Sequence, residues 1–130
     1  MNRVLFIDPI ELKPHEQIRF TRVLLVFAKI VLTGRFTTPL LIDSETKTIL
    51  DGHHRCWVAK MLGLKRIPCY CVNYLEEQSI RVHSRRSNIL VNKDDVLRIA
   101  TSGKVFPHKT TRHEYEIPTF VPVPLNQLWI

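Results

Sequence analysis

No apolar run in this sequence is long enough to cross a bilayer: the longest, Val23 to Leu32, is broken by Lys29 and lies too far along the chain for a signal-peptide core. A soluble, cytoplasmic protein is expected. Cysteine is scarce and odd in number, with Cys56, Cys69 and Cys71 alone, which argues against a secreted disulfide framework. Four glycines beside eight prolines are too few for a collagen-like or low-complexity chain, and no internal repeat appears. From a length of 130 residues one domain, residues 1–130, with a single core is expected rather than a multidomain machine. Acidic residues are the minority, twelve against nineteen Lys and Arg. The resulting charge of +7 favours a polyanion as partner: nucleotide phosphates, nucleic acid or a phosphorylated metabolite.

What is present reads as mixed α and β. Arg3 to Ile10 is a short apolar strand closed by Pro9, and Lys13-Pro14-His15-Glu16 is a break that can open a helix with Pro14 in its first turn. Phe20, Val23, Leu24, Phe27, Ile30 and Val31 recur at helical spacing up to Gly34, a natural left-handed cap. Residues 39–42 and 48–50 are strand candidates joined by a turn-rich segment, which predicts a hairpin. A helix over His53 to Leu62 ends at Gly63, a strand follows over Ile67 to Val72, and another extended stretch surrounds Val82. Asn92 can cap a helix that runs to Gly103. Residues 106–113 read as a polar loop, and residues 118–130 as an extended C-terminal tail interrupted by proline.

The most informative segment is Asp51-Gly52-His53-His54-Arg55, set between a strand and a helix. Such a turn offers free backbone N–H groups and a positive helix end to a phosphate. Arg55 adds a fixed cation, and Asp51 is an oxygen ligand of the kind Mg²⁺ takes beside a nucleotide. The alternative is a tight turn with Asp51 as helix cap and two exposed histidines. Cys69 and Cys71 alternate on one strand and read as small core residues; Trp57 reads as core rather than as an adenine platform. His53, His54 and Cys56 do not make a convincing tetrahedral set for zinc. Arg81, Arg85 and Arg86 form a basic cluster without a helix-turn-helix or aromatic platform, so nucleic acid is a less favoured partner.

Leu50-Asp51-Gly52-His53-His54-Arg55, followed by Ala59, Leu62-Gly63 and Ile67-Pro68, resembles the nucleotide-binding turn of the ParB/sulfiredoxin-like superfamily. Together with Lys13-Pro14-His15-Glu16 and the stretch from Ser102 to His113, it is similar to the free L-serine kinases of that superfamily. The resemblance implies an α+β domain, a small mixed sheet flanked by helices, that phosphorylates free L-serine from ATP or ADP with Mg²⁺. It implies Glu16 as general base and Asp51 at the Mg²⁺ and phosphate centre. Gly52, His53, His54 and Arg55 would wrap the phosphates, and Thr110, Thr111, Arg112 and His113 would hold the amino acid. For Glu16, the alternative is a helix N-terminal carboxylate favoured by the dipole, and for Lys109 to His113 a solvated basic loop; the joint occurrence of the blocks favours the functional reading. The chain departs from the kinase pattern in a short segment between Tyr74 and Gly103, in Val82-His83-Ser84-Arg85-Arg86 where a tryptophan is usual, and in His108 where a proline is usual. A nucleotide-binding regulator of the ParB type is the other functional class the turn allows.

Overall fold

The computed structural model describes residues 3–130. Its centre is a four-stranded mixed sheet in the order β1-β5-β3-β4: Arg3–Ile7, Ile67–Val72, Leu40–Asp43 and Ile49–Asp51. β1 runs antiparallel to β5, β5 parallel to β3, and β3 antiparallel to β4. Side chains alternate across these strands, so each face needs its own cover. Leu40, Ile42, Cys69 and Cys71 pack with Val23 and Ile30 of α1 (Phe20–Thr33) and with Cys56, Val58 and Ala59 of α2 (His53–Met61). Leu41, Val72 and Tyr74 pack on the other side with Val96 of α3 (Lys93–Thr101). The expected α+β arrangement, a small mixed sheet with helices on both faces, is what the chain adopts. All three cysteines are free and buried. Among the described residues no helix is long and apolar enough to cross a membrane.

Several local readings hold for visible reasons. Asp43 accepts from Thr46 N–H and from the Thr46 hydroxyl, which fastens the turn between β3 and β4. Gly34 and Gly52 adopt positive φ of 69° and 109°, a region that costs other residues a Cβ clash. Asn92 and Asp95 form a reciprocal capping box at the start of α3.

Other readings are corrected. Pro14 does not open a helix: α1 begins at Phe20, and the chain before it is extended. Lys13 pairs in parallel with Thr48, Lys13 N–H donates to Lys47 and Ile49 N–H donates back to Lys13. These long-range bonds outcompete a first helical turn. Residues 106–113 are not all loop, because β7 (Thr111–Glu114) pairs antiparallel with β6 (Arg81–Ser84). The tail does more than extend. β8 (Val123–Pro124) pairs with β2 (Arg35–Phe36), a short 3₁₀ turn follows over Leu125–Gln127, and Leu128 is fully buried. Trp57 is not core; it is 44% exposed.

Candidate active site

Glu16 is the residue around which the site is built. Its segment crosses the end of the sheet in extended form, bridged to Phe106 on one side, with Gln17 N–H donating to the Phe106 carbonyl. The carboxylate accepts from Thr110 N–H at 3.2 Å and from the Thr111 hydroxyl at 2.8 Å. Burial raises its pKa above the usual carboxylate value, against the pull of Thr111 and of the backbone N–H groups around it. The helix-terminal alternative therefore falls away, since α1 starts four residues later.

His53 and His54 tie this segment to α2. His15 N–H donates to His53 Nε2 and Arg19 N–H donates to His54 Nε2, each at 3.1 Å. Both rings are acceptors through Nε2, and burial holds both pKa values down, His54 to about 4. They are neither exposed nor free, and Cys56 beside them is buried in the core. Asp51 does not cap the helix. Gly52 occupies the cap position with no side-chain bond, which leaves the first N–H groups of α2 open. Asp51 stays on the exposed end of β4, where one carboxylate oxygen accepts from the Tyr115 hydroxyl. Arg55 Nη1 donates to the Thr38 carbonyl and hydroxyl and to the Pro39 carbonyl, so it fastens the loop before β3 to the start of α2.

These groups line one cleft of about 520 Å³. Glu16, Asp51, Gly52, His53, His54, Arg55, Thr111 and His113 all face it. Its charge is one-sided: Arg22, Lys29, Arg35, Arg55, Arg85 and Lys109 against Glu16 and Asp51. From α1, Val26 and Ile30 add apolar surface to the lining. The cleft, lined by cations and by apolar side chains, is of the size of a small-molecule site.

Two of the sequence-derived candidates, Thr110 and Arg112, do not line the cleft. Along β7 side chains alternate, so Thr111 and His113 face the cleft while the exposed Arg112 does not line it. Thr110 is buried with its hydroxyl on the Pro107 carbonyl, and contributes its backbone N–H to Glu16. His113 is hydrogen-bonded through Nε2 to the Tyr74 hydroxyl at 2.8 Å, and burial lowers its pKa to about 3. Tyr115 and Arg22 are site residues that no spacing signal marks, and Arg85, read from the sequence only as part of a basic cluster, lines the cleft. His15 was seen only as part of a motif, yet it is fully buried against Glu16.

No family model matches the chain. A ParB-like protein from Sulfolobus acidocaldarius is 30% identical over 93 residues, 72% of this chain and 45% of that protein. An ATP-dependent L-serine kinase from Staphylothermus marinus is 27% identical over 121 residues, 75% of this chain and 48% of that protein. The chain thus spans about half the length of the curated relatives it matches. Among solved structures, a free serine kinase in complex with AMP superposes with a TM-score of 0.85 at 16% identity, over 96% of this chain and 93% of that one. The chain therefore has the fold of the free serine kinases, and its sequence is similar to that of a ParB-like protein.

Proposed function

We propose that the chain is a nucleotide-dependent kinase that transfers a phosphoryl group to the hydroxyl of free L-serine, with ATP or ADP as donor. One observation carries the reading: a carboxylate of raised basicity and the uncapped N-terminus of α2 open into the same cation-lined cleft. Phosphoryl transfer asks for little more than in-line positioning, cations on the phosphate oxygens and a base for the attacking hydroxyl.

In this reading the N–H groups at the start of α2, with Arg22 and Lys109 nearby in the cleft, take the phosphate oxygens. Close approach depends on Gly52, where a Cβ would meet Leu40 Cγ at 2.6 Å. Glu16 takes the proton of the serine hydroxyl, and Thr110 N–H holds the carboxylate in place. Asp51 fits a nucleotide-borne Mg²⁺: it is an exposed carboxylate with one oxygen on Tyr115 and the other without a hydrogen bond among the described residues. Among the described residues no group of three or more His, Cys, Asp or Glu is gathered to hold an ion. A Mg²⁺ held by Asp51 would supply charge neutralisation at the phosphate oxygens. For the serine carboxylate the reading takes Arg85, which lines the cleft and whose N–H donates to Thr110, in place of Arg112.

Phosphorus NMR of the protein with Mg²⁺ and L-serine, run separately with ATP and ADP, tests this. O-phosphoserine is expected with one donor and absent from Glu16→Gln. Nucleotide binding without phosphoserine from either donor rejects the kinase reading in favour of a nucleotide-binding regulator.

A further inference from the structure

The hydrogen bonds around Glu16 do not close in the charge state that a base needs. His15 Nδ1 lies 2.7 Å from the Ile49 carbonyl oxygen, which can only accept, so Nδ1 carries a proton. In a neutral ring Nε2 is then an acceptor. It lies 2.9 Å from Thr111 Oγ1, and the same hydroxyl lies 2.8 Å from Glu16 Oε2. Thr111 has one proton for two acceptors. With Glu16 ionised, the hydroxyl serves the carboxylate and His15 Nε2 faces an oxygen lone pair. With Glu16 protonated, Oε2–H donates to Thr111, Thr111 to His15, and His15 to Ile49. Every position is then filled. The chain is one proton short, at the place where a hydroxyl loses one.

We infer that His15 and Thr111 are positioning residues of a proton-completed chain: as Glu16 takes the acceptor's hydroxyl proton, Thr111 turns its own proton from Glu16 to His15. This rests on the kinase reading above. The acceptor oxygen bonds to the transferred phosphorus, the bond from phosphorus to the leaving nucleotide oxygen breaks with its electron pair, and the hydroxyl proton ends on Glu16 Oε2. His15 stays neutral throughout, because burial holds its pKa at about 4. The rings that face it, His53 of α2 at 4.6 Å and His113 of β7 at 5.7 Å, are neutral for the same reason. Asp51 on β4 is the charge that acts on it, and Arg22, Arg85 and Lys109 stand around the cleft. A second acceptor for the Thr111 proton makes Glu16 a stronger base than a carboxylate that owns its hydroxyl donor outright.

His15→Asn separates this role from packing. It keeps an N–H for Ile49 and removes the acceptor at Nε2, whereas His15→Gln carries an oxygen out towards that position. In His15→Asn the Glu16 titration, read by ¹³C NMR of the labelled carboxyl, moves down by about one pH unit, the equivalent of one hydrogen bond. The acid limb of kcat moves with it, plateau kcat falls about tenfold and nucleotide KM is unchanged. His15→Gln recovers at least half of each shift. An unmoved titration overturns the inference, and so does an upward one, which would mean that His15 acts as a cation. Should the variants not fold, ¹⁵N NMR of the native protein decides: His15 Nε2 gains a hydrogen bond with the Glu16 midpoint while the ring stays neutral. An Nε2 that protonates, or that ignores Glu16, refutes the chain. Neither NMR readout needs turnover, so absence of phosphoserine would remove the kinase reading and leave this result standing.

Discussion

Gly52→Ala tests whether the turn before α2 is as tightly built as its geometry says. At φ 109° any side chain is strained, and a new Cβ would sit 2.6 Å from Cγ of Leu40, which is fully buried and has nowhere to retreat. Gly63 supplies the control: its φ is 68°, and a Cβ there meets nothing within 4 Å. Gly63→Ala should carry the backbone term alone, about 1–2 kcal/mol. Gly52→Ala adds an overpacking term of about 1–3 kcal/mol, for a total near 3–4 kcal/mol. For a chain of this size that is a fall in Tm of about 10 °C, roughly twice that of the control. Scanning calorimetry measures both, and nucleotide titration measures the functional half, since easing the clash pushes the α2 N–H groups away from β3. Equal melting losses in the two variants would refute the reasoning, because the contact with Leu40 would then cost nothing.

Acidification should unfold the protein more readily than the carboxylates alone explain. The folded pKa of His15, about 4, lies below the unfolded value, so the unfolded chain binds the extra proton. Stability present above pH about 6.5 is lost as pH falls towards 4, by about 3 kcal/mol for His15, with His113 acting in the same direction. Glu16, whose pKa is raised, offsets part of this, because its folded form takes up the proton first. Melting curves across that range check the slope, and a flat profile contradicts it. In steady-state kinetics Arg85→Ala should raise serine KM about tenfold or more, whereas Arg112→Ala, on the far side of β7, should leave it unchanged. The reverse pattern would return the carboxylate role to Arg112.

The parts of the site that were legible in the sequence are those fixed by local chemistry. Asp51-Gly52 announces its turn because only glycine tolerates that φ beside Leu40, and Asn92 announces α3 because its side chain reaches Asp95 N–H. What could not be read depends on partners far along the chain. Pro14 looks like a helix opener until Lys13 is claimed by Thr48 and the His15 ring by Ile49 and Thr111. Thr111 to Glu114 has loop composition, and becomes a strand only because Arg81 to Ser84 offers an edge. Arg112 was grouped with its neighbours by adjacency in sequence, but strand alternation turns it away from them. Tyr115 meets Asp51 across 64 positions, a pairing no local pattern signals.

The pairing of β2 with β8 bears on how the protein is made. Arg35 and Phe36 form a wall of the cleft, and their strand partner is Val123–Pro124, with Leu125 N–H donating to the Gly34 carbonyl. Synthesis delivers Glu16 and the turn at Gly52 well before the segment that braces this wall. A nascent chain therefore carries Glu16 and the turn at Gly52 well before this cleft wall is braced, and in the kinase reading full nucleotide affinity arrives only when residues 123–128 have emerged and docked.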